Sequence, residues 1–360
     1  GVPRPKFQPQ PGVEYFLNLS LRTREAGPGL PKGHVVATEQ FRLPHGGELA
    51  AGPKAAAQAL TLEDGPRSIR VAGRDFAVRF DRSTGALDSF VYGGRELIAS
   101  GVEPNFWRAP TDNDFGNGMP RRLAVWRQAS LYRDLKSLTA RQEGPGRVII
   151  AADYGLAGGA AGQSLEYAVG GDGGVDVSAK LTLRDGSKLP ELPRVGLKMA
   201  LPAGFEKVQW FGRGPWENYR DRRTAAFVGL YETTAGEPLP YVSPQEYGNR
   251  TDTRWLAVRD GQGYGLLISG SQVFEFSAHS FWPEDLTQES RGAMHPPDVP
   301  KRAFTCLTLD HAQMGVGGDD SWGARVHPQY TLPAKEYAFT FRLRPLLTGD
   351  DPALAARTSR

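Results

Sequence analysis

The chain has 360 residues, of which 39% are hydrophobic and 23% charged, with 43 basic against 40 acidic side chains and a net charge of +3. This balance excludes a disordered chain, and the scatter of its basic residues excludes the concentrated positive footprint of a nucleic-acid binder. No apolar run reaches the ~18 residues of a membrane helix, and the single cysteine, Cys306, excludes an intrachain disulfide or a cysteine-based metal cluster.

In chain order, the first candidate strand is YFLNLSLRT at 15–23, where apolar and polar side chains alternate. Residues 1–45 hold about three strands, too few for a self-sufficient sandwich of roughly seven. They read as the C-terminal half of an immunoglobulin-like domain, with an inner face around Tyr15, Leu17 and Leu19 left uncovered. GGELAAGPKAAAQ, at 46–58, has no periodicity and reads as a linker. From 59 to 345 the pattern is short alternating segments between Gly and Pro turns: RVIIAADY (147–154), SLEYAV (164–169), VDVSAKLTL (175–183), GLKMAL (196–201), FEFSA (274–278) and YAFTFRLRP (337–345). GGDGG at 170–174 is a turn between two of these, since no Walker lysine follows it. One helix is expected, over PRRLAVWRQAS at 120–130, with Pro120 in its first turn. The end, 346–360, reads as a frayed tail. The expectation is an all-β protein. The sequence shows no signal peptide and a cytoplasmic location is expected, with a start at Gly-Val-Pro, not Met, that reads as a non-native N-terminus.

Familiar catalytic patterns do not occur. The six histidines lie far apart, without the i, i+4 spacing of a helical zinc site, and there is no G-x-S-x-G elbow. Four dense stretches stand out instead. In QMGVGGDDSW (313–322), Asp319 and Asp320 are neighbours, which is a poor way to set two carboxyls across a substrate. They are expected to cap loop amides. Trp322 is either a core residue or a flat apolar platform of the kind on which a sugar's C–H face stacks. In NFWRAPTDNDFGNGMP (105–120), an apolar start leads into Asp114, Phe115, Gly116, Asn117 and Gly118, where two glycines can absorb the backbone rotation of a gating loop. WFGRGPWENYRDR (210–222) and PYVSPQEYGNRTDTRWL (240–256) carry Glu217 and Glu246. These suit acid–base chemistry or pairing with Arg213, Arg222 or Arg250.

Taken together, these four stretches, in this order and at this spacing, resemble the C-terminal region of the large bacterial β-galactosidases of the second glycoside hydrolase family. The resemblance covers roughly 10–345. It implies that 59–345 is a large antiparallel β-supersandwich, galactose mutarotase-like, preceded by the back half of an immunoglobulin-like sandwich. It implies that no catalytic residue lies on this chain, because the family's nucleophile, its acid/base glutamate and its magnesium and sodium ligands belong to other domains, chiefly a TIM barrel. Trp322 matches the family's hydrophobic sugar platform. Gly116 matches the start of a loop that opens and closes over the site, with Phe115 where isoleucine is common, and the loop beyond Asn117 departs from the best-known members. The implied partners are a galactoside and the catalytic barrel portion of the same enzyme, with homo-oligomers also expected and neither nucleic acid nor membrane.

Two other functions fit the residues. One is a stand-alone carbohydrate-binding module. The other is a mutarotase-like epimerase, which needs His279 or His311 facing Glu217 or Glu246 across a cleft.

Overall fold

The computed structural model describes residues 7–44, 58–237, 239–290, 292–320 and 322–358. The expected linker falls outside these except for Gln58. Every strand pair among the described residues is antiparallel, so the all-β expectation holds.

Tyr15–Arg22 and Val35–Leu43 form a two-stranded ribbon rather than the three strands expected. No residue between 7 and 44 is fully buried. Tyr15, Leu17 and Leu19 are half-buried, while Leu21, Val36 and Phe41 on the same ribbon are exposed. The ribbon is held to the main body by polar contacts. Gln40 exchanges two hydrogen bonds of 2.8 Å with the backbone of Val228, and Arg254 grips the Glu14 carboxylate at 2.6 and 2.9 Å.

The main body combines a five-stranded meander, Thr61–Asp64 to Arg95–Glu96, with a twelve-stranded sheet. Strand Gly265–His279 joins two branches of that sheet. Its first residues pair with Tyr337–Leu346 and its last with Phe304–Gln313, which continues to Arg194–Pro202 and Ser100–Asn105. Between the two pairings Ser271, Gln272 and Val273 turn outward. Gly270 is required at this bend, because a Cβ there would sit 2.2 Å from the carbonyl oxygen of Gln272.

Side-chain alternation separates two faces of the inner branch. Val195, Leu197, Met199 and Leu201 enter the main core, as do Leu307 and Leu309 and, from the bent strand, Phe274 and Phe276. The opposite face carries Arg194, Lys198, Thr308, Asp310, Glu275 and Ser277, all buried as well. Loops cover this polar face, and they are the stretches singled out in the sequence.

The expected helix is broken at Leu123 into Met119–Arg122 and Ala124–Leu131. The described part of the expected tail is not frayed. Pro352–Thr358 is a helix capped by Asp351, which accepts from the Ala353 amide at 2.9 Å. It buries Ala355 and Ala356 against Trp255, Leu267 and Leu346. No helix among the described residues is long and apolar enough to cross a membrane.

Candidate functional site

Residues 112–116, read as a loop, form one short helical turn. Thr111 caps it: its hydroxyl accepts from the Asp114 amide at 3.2 Å, and Asp114 accepts from the Thr111 amide at 3.0 Å. This reciprocal pair satisfies two donors that a helix start leaves open. Asp114 is therefore a buried anchor rather than a free loop residue. Its two oxygens also bind Arg108 at 3.0 and 2.9 Å.

Arg108 is fully buried, and each of its five N–H donors is used. Besides Asp114 it reaches the Gln313 side chain at 3.4 Å and the carbonyls of Met314 and Gly315 at 2.8 and 2.9 Å. It thereby fixes the capped turn to the start of the glycine loop 313–322. Asn113 adds a bond of 3.2 Å to the Val316 carbonyl. From the 210–222 stretch, Asp221 accepts from the Gly317 amide at 2.7 Å. A Cβ on Gly315 would stand 2.5 Å from the same Asp221 oxygen, so glycine is what admits the carboxylate. From the 240–256 stretch, Gln245 accepts from the Asp112 amide at 3.3 Å, and Glu246 pairs with Arg194 at 3.0 Å. All four sequence stretches meet here.

Trp322 crowns this assembly with 81% of its surface exposed. Its loop is wound around Asp320, whose Oδ1 accepts from the amides of Trp322, Gly323 and Ala324 at 2.8, 3.0 and 3.1 Å. Those amides, Ala324 first, hold the Asp320 carboxyl below its ordinary range. Asp319 does not share the expected role. Its Oδ1 lies 2.7 Å from His327 Nε2 instead of on loop amides. Gly116 lies directly against the platform loop: a Cβ there would be 3.1 Å from the backbone carbon and oxygen of Trp322. Asn117 is tied to Arg122 at 3.2 Å, and Phe115 is half-buried.

Beneath the loop lies a buried charged network. Arg194 stands 3.0 Å from Glu246 and 3.1 Å from Asp310. Burial pulls the Arg194 guanidinium down, but Asp310 and Glu246 outweigh it and raise it overall. Burial drives Asp310 well above the usual carboxylate range and Glu275 up to about 7. Glu275 accepts from Asn249 at 2.9 Å. Arg108, Arg194, Asp221, Glu275 and Asp310 were not singled out in the sequence. The available signal was charge at positions flanked by apolar residues, as in NFWRAP and LTLDHAQ, where alternation puts a charged side chain on an inner face.

The acid–base candidates do not form a free pair. Glu217 receives Tyr241, Arg222 and the Gly248 amide, the last at 2.7 Å. Glu246 pairs with Arg194, not with the arginines expected, and Arg213 is taken by Asp252. His279 borders the same cavity as Glu217, but its Nε2 faces the Tyr247 carbonyl at 3.1 Å, and burial lowers its pKa to about 4. His311 lies elsewhere, beside Gln272 and stacked on Phe339. Among the described residues no group of three or more His, Cys, Asp or Glu is arranged to hold a metal ion.

Comparison with known proteins agrees with the motifs. The family model for "Beta galactosidase small chain" matches residues 72–343, and that for "Beta-galactosidase, domain 4" matches residues 1–44. A β-galactosidase of Priestia megaterium is 39% identical over 337 residues, covering 92% of this chain and 32% of the relative. A β-galactosidase of Halalkalibacterium halodurans is 35% identical over 327 residues, covering 90% of this chain and 32% of the relative. Among solved structures, galactose 1-epimerase from Lactobacillus acidophilus NCFM has a TM-score of 0.45 at 7% identity, covering 81% of this chain and 99% of that one. The chain spans about a third of the length of the curated relatives it matches. It belongs to the β-galactosidase small-chain family.

Proposed function

We propose that this chain completes the sugar site of a retaining β-galactosidase whose catalytic carboxylates, magnesium and sodium are held by the rest of the enzyme. The observation that carries this reading is the exposed Trp322 ring, standing on a loop to which the three other stretches are hydrogen-bonded. A tryptophan whose backbone is tied to Asp320 presents an open ring on which a pyranose can stack. Asp320 and Arg108 set its position and take no part in proton transfer. Gly116, against the backbone of Trp322, is where motion of the capped turn would be felt by the platform.

On this reading a terminal β-D-galactoside is cleaved by two carboxyls ~5 Å apart through a covalent galactosyl intermediate, and both carboxyls lie outside this chain. The isolated chain is then expected to leave a chromogenic β-galactoside intact. Turnover near an ordinary enzyme rate, on the order of 10 s⁻¹, by the purified 360-residue chain would overturn it.

A further inference from the structure

The cavity bordered by Glu217 and His279 has a volume of about 440 Å³, and Trp322 is not among its lining residues. It is within the ~300–1,000 Å³ of small-molecule sites. It is flanked by the ends of strands Lys207–Gly214 and Gly265–His279 and by the loops after Gly214 and before Arg250. Phe276 and Ala278 line it, so it belongs to the opposite face of the bent strand from Glu275 and the charged network.

Its lining is mixed in a specific way. Trp216, 68% exposed, offers an open indole face, and Tyr241 lines the same cavity. Glu232 and Glu237, both exposed, supply acceptors. Arg250 supplies a positive charge: its guanidinium lies over the Trp210 ring, 5.3 Å from the centroid, fixed by the carbonyls of Pro215 and Gly248 at 3.1 and 2.8 Å.

We propose that this cavity is a second carbohydrate site, binding a neutral pyranose that stacks on Trp216 and hydrogen-bonds to Glu232 and Glu237. A neutral, hydroxyl-rich ring uses the indole face and both signs of charge. An anionic guest would be repelled by the two rim carboxylates, and a cationic one is tested below. Nothing in this assignment depends on the platform at Trp322.

The test is a titration of the full 360-residue chain with methyl β-D-galactoside, read by saturation transfer to the sugar C–H protons. Saturable binding is expected. Trp216→Ala should weaken it roughly tenfold, the scale of losing one stacked ring, and Glu232→Gln several-fold. Trp216 and Glu232 are exposed, and circular dichroism of each variant should match the parent. Equal binding by Trp216→Ala and the parent would overturn the site, as would no saturable binding at all. Loss confined to Trp322→Ala would also overturn it while leaving the platform standing. Tighter binding of tetramethylammonium than of the sugar would overturn the ligand assignment.

Discussion

Replacing Asp114 by Ala would leave the Arg108 guanidinium buried without its counter-charge. Removing one partner of a buried ion pair costs about 3–5 kcal/mol, and here it also removes the Thr111 cap. A loss of that size is expected in denaturant unfolding of Asp114→Ala, with a far smaller effect for an exposed pair such as Arg70 and Glu63. Glu275 makes a pH prediction. Burial raises its folded pKa from 4.5 to about 7. The protonated form therefore stabilises the fold fully below about pH 4.5, and that contribution falls away as pH rises to about 7 and stays lost above it. At about 1.4 kcal/mol per pH unit the loss is roughly 3 kcal/mol. Glu275→Gln should remove this slope and be the more stable protein at pH 8, as measured by unfolding at several pH values. A parallel pH dependence in both proteins would contradict the assignment. At this scale the sequence was legible where a residue announces itself, as Trp322 does among glycines and aspartates. Arg108 and Asp310 were not, because their importance comes from partners about 200 residues away for Arg108 and on a separate strand for Asp310.

Among the elements, the bent strand Gly265–His279 decides most, since it belongs to both branches of the sheet. Gly270→Ala would press a methyl group against the Gln272 carbonyl at 2.2 Å. The strand must then shift at its bend, at an expected cost of about 1–3 kcal/mol, the range for overpacking. Thermal unfolding should record it, and an unchanged midpoint would show that the bend is not fixed at this residue. Alternation exposed most strands beforehand, including 147–154, 175–183 and 337–345, because each buries one face. It exposed only the end of the bent strand. GLLISGSQVFEFSAH is buried on both faces over its first part and reads as an undivided apolar run. The helix Pro352–Thr358 was missed although its signals were local, with Asp351 as cap, Pro352 in the first turn and alanines following. Its position at the end of the sequence drew the opposite reading.

At the scale of the whole molecule, the sheets and their covering loops form a scaffold that presents Trp322 on its surface. Composition and turn spacing were enough to place it among all-β proteins. The convergence of the four stretches was not readable from any one of them, because strand order brings them together only after the sheet has formed. The most direct test uses a chimera in which this chain replaces the matching 32% of the Priestia megaterium relative. The kcat/KM for a chromogenic β-galactoside is compared between the chimera and its Trp322→Ala variant. Losing a stacking platform should cost roughly 1–3 kcal/mol, by analogy with base stacking on aromatic side chains, a fall of about 5- to 150-fold with the fold intact. Equal kcat/KM in the two proteins would contradict the account.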